Sequence, residues 1–353
     1  MNDTIFTLRQ RYLVNLVNQS EGLSRKEIQN GIRSIYPASK ITIIRDLNIL
    51  IKNRSIRKLG RARALKYFPV ERNRVLRKFD IDRYFAIEPD QRKNILTRFD
   101  FGIFDNLKDL FFQSELDTLK KVCKSFSQKI NRLQQDILKR ELERFTIELS
   151  WKSSKLEGNT YTLLETESLI NERRQAKGKT KEEAVMILNH KLAFEKILNN
   201  KDQFKELSVS KVNQLHNLLV KDLKISTGIR RQTVGITGTA YIPLDNEYQL
   251  KETLEKTLLI ANKAKNVFEK ALIVLCMISY IQPYSDGNKR VSRMLTNAVL
   301  ISHDLYPLSY RSVDEDNFKK ALILFYEQGS LFELKKIFIE QIRFANKTYF
   351  RLD

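Results

Sequence analysis

The chain has 353 residues, 42% of them apolar and 30% charged, with a formal net charge of +21, which is enough chain for two or three domains, each with its own core. No apolar run reaches the length of a membrane-spanning helix. The opening MNDTIFTLRQ lacks the pattern of a secretory leader, and Cys123 and Cys276 have no metal-ligand spacing, so a reduced cytoplasmic protein with no membrane partner is expected. Scarce glycine and proline beside plentiful Leu, Ile, Lys and Glu indicate a mainly helical fold.

The first 75 residues hold 16 Lys and Arg against 5 Asp and Glu, so +11 of the total +21 lies there. On charge alone a solvated basic face and a polyanion site both stay open. The pattern is more specific. Leu8, Tyr12, Leu13, Leu16 and Val17 have helical spacing. Ser24 and Glu27 are spaced as a capping box, so a second helix starts there. Ser39 caps a third helix running to about Lys52, with Ile44, Leu47 and Ile51 on one face. SIRKLGRARALKYFPV then predicts two short strands around a turn at Gly60. Three helices followed by a basic hairpin resemble a winged helix-turn-helix domain. That resemblance implies DNA binding, with Lys40, Thr42 and Arg45 facing the groove and Arg57, Lys58, Arg61, Arg63 and Lys66 on phosphates. A homodimer reading paired half-sites is a further expectation.

Residues 76–103 are charged and mixed and predict a connector with some helix, broken at Pro89. From Leu107 to Asn171 the pattern is strongly helical. Residues 267–281 predict an apolar helix that Pro283 stops. Asp286-Gly287-Asn288 makes a turn, and a new helix begins near Asn288 with Val291, Met294, Leu295 and Ala298 as its buried side. A helix start offers unpaired amides and a partial positive charge, so it attracts phosphate. Arg290 and Arg293 are neighbours on that first turn and both could reach an anion there. Asp286 is placed to hold Mg²⁺. These residues alone describe either a nucleotide-phosphate site or an ordinary helix-loop-helix.

The stretch Gln282-Pro283-Tyr284-Ser285-Asp286-Gly287-Asn288-Lys289-Arg290-Val291-Ser292-Arg293 resembles the signature loop of the Fic family, His-Pro-Phe-x-Asp/Glu-Gly-Asn-Gly-Arg-x-x-Arg. SSKLEGNTYTLLETE is similar to the segment with the family's inhibitory helix, which is expected over about residues 150–160, with Ser153, Glu157 and Gly158 in register. STGIRRQTVGITGTAYIPLDN resembles the segment holding its target-docking flap, which falls on Ile236, Thr237, Gly238, Thr239, Ala240 and Tyr241. ILNHKLAF and QLHNLL look like scaffold segments, so His190 and His216 are not expected to serve as bases. The resemblance covers about residues 104–325 and implies a Fic-like helical domain over 104–353 with a small β-hairpin flap.

The family transfers AMP from ATP to a hydroxyl of a target protein. By resemblance Asp286 holds the metal, Gly287, Asn288, Lys289 and Arg290 meet the phosphates, and Arg293 pairs with the inhibitory Glu157. Two departures matter. Gln282 stands where the family has its catalytic histidine, and a carboxamide cannot take a proton near neutral pH. Lys289 stands where many relatives have glycine; some Doc-like members with lysine there transfer phosphate instead. Tyr284 for Phe still anchors the loop, with its hydroxyl expected near the site. Three readings follow. In the first, the chain binds ATP and Mg²⁺ with transfer lost or weak and acts as a nucleotide-sensitive regulator with a DNA-binding head. In the second it is a transferase held off by Glu157, or a parent enzyme silenced at position 282. In the third it is a dimerising transcription factor without nucleotide function.

Overall fold

The structure, a computed structural model, describes residues 6–18, 20, 22–53, 55–69, 73–123 and 133–350, with the side chain of Arg63 outside the description. The chain divides into two compact units, Met1–Arg72 and Asn73–Asp353. Among the described residues no helix is long and apolar enough to cross a membrane.

The first unit holds three helices, α1 (Leu8–Asn18), α2 (Arg25–Ile32) and α3 (Lys40–Lys52), and three short strands, β1 (Leu23–Ser24), β2 (Ile56–Leu59) and β3 (Lys66–Pro69). The expected caps are present: Ser24 and Glu27 close a capping box, and Ser39 Oγ accepts from the Thr42 amide. The strands form an antiparallel sheet in the order β1-β3-β2, with Arg57 opposite Phe68 and Ser24 opposite Lys66. The two-residue β1 escaped the sequence pattern because the capping box claims the same stretch. Leu13, Val17, Ile28, Ile32, Ile43, Leu47, Leu50, Ile56 and Tyr67 form the core. The buried stripe of α3 is therefore Ile43, Leu47 and Leu50, and Ile44 and Ile51 are only half-buried. Its one buried charge, Asp46, accepts from Arg9 Nε at 2.6 Å and Gln10 Nε2 at 2.9 Å, which fastens α3 to α1.

The second unit begins at Asn73, so residues 76–103 belong to its body rather than to a separate linker. Asn73 Nδ2 donates to the carbonyls of Asn106 and Lys108, and Val75 and Phe99 join the core. A short helix, α4 (Ile81–Phe85), is followed by α5 (Gln113–Cys123), α6 (Gln135–Lys155), α7 (Leu163–Glu172), α8 (Lys181–Asn199), α9 (Val209–Leu219) and α10 (Glu247–Asn262). The part of the predicted helical stretch at 124–132 lies outside the described residues. Then come α11 (Val267–Ile281), α12 (Asn288–Ser302), α13 (Glu315–Gln328) and α14 (Phe332–Thr348). Helix α11 is buried all round from Phe268 to Ile281, which marks the centre of a core rather than a surface face. Helix α12 is buried as completely beyond Lys289, a fuller burial than the one-sided stripe expected. The expected β-hairpin flap takes another form: residues 233–246 include no strand, and the chain turns at Thr237–Gly238. Gly235, Gly238 and Pro243 give a ladder little to hold. The described strands all lie in the first unit.

Candidate functional site

The loop between α11 and α12 is held by its own backbone and by three neighbouring segments. Gln282 ends α11 in the left-handed region, φ 52°, with its amide on the Ile278 carbonyl at 3.1 Å. Its Nε2 donates to the Ser279 carbonyl at 2.7 Å. Arg230, buried, donates from Nε to the Gln282 carbonyl at 2.7 Å and from its amide to the Pro283 carbonyl at 3.0 Å. The same guanidinium reaches the carbonyls of Gln232 and Leu244, so it ties both ends of the flap segment to the loop. No sequence motif singled out Arg230.

Asn288 laces the loop shut. Its Oδ1 accepts from the Tyr284 amide at 2.9 Å and its Nδ2 donates to the Tyr284 carbonyl at 2.8 Å. Its carboxamide is thus already engaged, although the residue borders the cavity. Tyr284 is buried and stacks on His216 with ring centroids 3.8 Å apart, and its hydroxyl donates to Asn213 Oδ1 at 2.7 Å. That hydroxyl faces α9, not the site, because the stacked ring fills the space beneath the loop. His216 Nε2 donates to the Asp286 carbonyl at 3.0 Å. Burial pushes His216 down to about 4, so it is neutral. The histidine of α9 therefore positions the loop as well as building the scaffold.

Asp286 Oδ1 accepts from the Gly287 amide at 2.5 Å and Oδ2 from Arg290 Nη2 at 3.1 Å, with the side chain 65% exposed. Gly287 caps α12 at φ 82°, and a Cβ there would lie 3.2 Å from Val220 Cγ1 and 3.4 Å from Arg290 Nη2. Both the torsion and the space call for glycine. Gly287→Ala should cost about 1–3 kcal/mol through backbone strain and crowding. A thermal melt of the full chain checks this, and an unchanged midpoint would refute it.

Arg290 and Arg293 are not open at the helix start. Both are 1% exposed. Arg290 Nη1 donates to the Leu219 carbonyl at 3.2 Å. Arg293 turns to the end of α6: Nε donates to Ser153 Oγ at 2.9 Å, Nη2 to the Ser153 carbonyl at 2.7 Å, and Nη1 to Glu157 Oε1 at 2.7 Å. Glu157 follows α6 in a turn that Gly158 completes at φ 92°. His190 completes this cluster. Its Nδ1 faces the Met186 carbonyl at 2.8 Å, which can only accept, so Nδ1 carries the proton. Its Nε2 then accepts from Ser153 Oγ at 2.9 Å. Burial pushes His190 down to about 3, which keeps this chain of donors in one direction.

A cavity of about 340 Å³ lies in front of the loop, within the usual size range for small-molecule sites of ~300–1,000 Å³. Gln282, Ser285, Asp286, Asn288 and Lys289 line it from the loop, Lys319, Leu322, Ile323 and Tyr326 from α13, Val234 to Thr237 from the flap, and Glu157 from the end of α6. Neither His190 nor His216 borders it, and His303 sits exposed at the far end of α12. Gly287, Arg290 and Arg293 lie behind its wall. Lys319 and Tyr326 border the cavity without having been foreseen, since α13 is distant in sequence and carries no motif. Among the described residues no cluster of three or more His, Cys, Asp or Glu could hold a metal. Asp286 is the exposed carboxylate that could share one with a ligand's own oxygens and water.

Of the flap residues, Ile236 and Thr237 border the cavity, and Gly238 is exposed. Thr239 Oγ1 donates to Glu327 Oε1 at 2.6 Å, and Ala240 is half-buried. Tyr241 is not available for docking: it is 1% exposed, its ring stacks on Tyr280 at 4.8 Å, and its hydroxyl donates to the Tyr280 carbonyl at 3.0 Å. Its aromatic bulk belongs to the core.

In the first unit Lys40, Arg45, Lys58, Arg61 and Lys66 are exposed, as is Arg57, which donates to the Pro69 carbonyl and lies over Phe68. Thr42 differs from expectation: it is half-buried, and its hydroxyl meets Ser39 Oγ at 3.0 Å within the cap. The open face of α3 is instead Lys40, Ile41, Arg45, Asn48 and Lys52.

Comparison with known proteins bears on the fold. Residues 206–300 match the Fic/DOC family model. The chain is 28% identical over 149 residues to a protein adenylyltransferase Fic of Drosophila ananassae, covering 41% of this chain and 30% of that protein. It is 23% identical over 202 residues to one of Nematostella vectensis, covering 52% and 44%. The match thus spans less than half of each of these relatives. Among solved structures, a Fic domain containing signaling protein from Bacteroides thetaiotaomicron superposes with a TM-score of 0.53 at 22% identity, over 66% of this chain and 96% of that one. A Fic family protein from Desulfovibrio desulfuricans gives 0.53 at 19% identity, over 71% and 75%. The chain is a Fic-fold protein whose residues 206–300 match the Fic/DOC family, and it is related to protein adenylyltransferases.

Proposed function

We propose that the second unit binds ATP with Mg²⁺ at the cavity before α12 and that its transfer chemistry is lost or weak. One observation carries the second half of this reading: Gln282 occupies the cavity wall at the start of the loop with its amide nitrogen engaged by Ser279. A carboxamide cannot take a hydroxyl proton at neutral pH. The donor set suits a nucleotide. Lys289 and Lys319 supply positive charge at the cavity, the first amides of α12 have no partners within the helix, and Asp286 offers an exposed carboxylate for the cation. When bound, Mg²⁺ would neutralise phosphate charge beside Asp286. Glu157 opposes occupancy. It balances the lysines at the wall and holds Arg293 away from the cavity.

The test is calorimetry with Mg-ATP. Glu157→Gly removes a charge-assisted hydrogen bond from Arg293, so this variant should bind about tenfold or more tightly than the parent chain. No heat from either protein would remove the nucleotide reading and favour a protein-only role.

For the first unit we propose duplex DNA as partner. The basic excess of residues 1–75, the open face of α3 and the exposed Lys58, Arg61 and Lys66 of the β2–β3 hairpin support it. With both units working, the chain would be a nucleotide-sensitive regulator with a DNA-binding head. A protein bearing an exposed hydroxyl would be its target if transfer persists.

A further inference from the structure

Two residues outside the family-matched stretch converge on the flap. Glu327, on the last turn of α13, has a side chain that is 0% exposed. Its Oε1 accepts from Thr239 Oγ1 at 2.6 Å and from Arg92 Nη1 at 3.1 Å. Its Oε2 accepts from the Tyr84 hydroxyl at 2.6 Å and from Arg92 Nη1 at 3.2 Å. The Arg92 side chain is only 5% exposed. It donates to the Gly238 carbonyl at 3.2 Å and from Nε to the Ile87 carbonyl at 3.0 Å, and its guanidinium lies over Phe85 at 4.8 Å. A buried carboxylate is tolerated only when it is paired and hydrogen-bonded. These partners come from two places: the segment 81–92 and the flap. The helix that carries Glu327 also forms one wall of the cavity, and its Ile323 Cδ1 lies 3.4 Å from where a Cβ on Gly238 would sit.

We propose that Arg92 and Glu327 are positioning residues that latch the flap against α13, so that the segment 81–92 sets how readily the flap lifts from the cavity. Loops that move in function are drawn from segments with few fixed contacts. Here the turn at Thr237–Gly238 has its fixed polar contacts at this latch, whereas the flap's two ends are tied separately by Arg230. Losing Arg92 removes a donor from Gly238 and leaves Glu327 buried without its cation, a strongly unfavourable state that opening the flap relieves. The proposal concerns flap mobility and does not rest on the nucleotide reading.

Hydrogen exchange by mass spectrometry on the full chain tests it. Arg92→Ala should speed exchange of amides 236–242 by about tenfold or more, while amides of α11 and α12, measured in the same run, stay as in the parent. Thr239→Val, which keeps side-chain shape but removes both the donor to Glu327 and the acceptor of the Tyr241 amide, should give a smaller acceleration, read at amides 236–240. A folded Arg92→Ala protein with unchanged flap exchange overturns the latch. Should Arg92→Ala fail to fold, Thr239→Val decides: a faster flap supports the latch and an unchanged one overturns it. A faster flap in a chain that gives no heat with Mg-ATP leaves the latch standing and removes the nucleotide reading.

Discussion

Gln282→His combined with Glu157→Gly should turn a chain with little or no transfer into one that labels protein hydroxyls from ATP, with a gain of about 10²–10⁴-fold over Glu157→Gly alone. The geometry makes the substitution local. Position 282 is fixed by its amide on Ile278 and its carbonyl on Arg230, so the backbone torsion does not depend on the side chain. The residue borders the cavity, so an imidazole there can reach a bound hydroxyl. Glu157→Gly is needed in the same chain because Arg293 Nη1 is otherwise committed to Glu157 at 2.7 Å. Labelled ATP with cell lysate reads the outcome. Labelling confined to the double variant supports a surviving cradle that lacks only its base. Equal labelling by Glu157→Gly alone shows that another group takes the proton, and silence in a double variant that binds Mg-ATP shows that the defect lies beyond Gln282.

The parts legible in the sequence are those set by neighbours in the chain. Ser24, Glu27 and Ser39 announce helix starts because an N-cap needs only a side-chain oxygen within three residues of a free amide. The apolar run 267–281 and the turn at Asp286-Gly287-Asn288 announce the loop for the same reason. The pairing of Glu157 with Arg293 was legible through the family resemblance, since the two are far apart in the chain and spacing alone could not join them. The rest depends on contacts that no local pattern encodes. Arg230 reads as one of two adjacent arginines in GIRRQ, yet its guanidinium reaches three carbonyls. Charge in residues 76–103 suggests a solvated connector, but Arg92 and Tyr84 are half of a buried cluster around Glu327. His190 and His216 read as scaffold and are indeed buried, but each also fixes a residue of the site, Ser153 against Arg293 in one case and the cavity-lining Asp286 in the other. The flap hairpin was expected from the family resemblance, and no pattern in GITGTAYIP itself tests that expectation. Its alternate side chains instead go to Glu327 and to the tyrosine stack of Tyr241 on Tyr280, so tertiary contacts take the place of a ladder.

Binding of the full chain to duplex DNA should weaken by about a hundredfold between about 50 mM and about 200 mM salt, because about four phosphate contacts release their counterions with a slope near −0.9 per contact. The cations that carry this term are exposed and close in sequence: Lys58 on β2, Arg61 beyond it and Lys66 on β3. Arg57 is already engaged by the Pro69 carbonyl and Phe68, so it is a poorer choice for dissection. Lys58→Ala with Arg61→Ala should lower the slope by about two and weaken all sequences alike. Substitutions on the open face of α3 act differently. Arg45 and Asn48 lie three apart, each with a side chain able to form a bidentate pair with a base edge, and Ile41 is 78% exposed on the same face. Arg45→Ala should therefore relax sequence preference, with each lost base contact worth about 1–3 kcal/mol, and change the salt slope little. Fluorescence anisotropy on a random duplex pool and on a selected site separates the two effects. Binding that stays flat across that salt range, or a Lys58→Ala, Arg61→Ala chain whose slope matches the parent, would remove DNA as the partner of this unit and leave its basic hairpin as a solvated face.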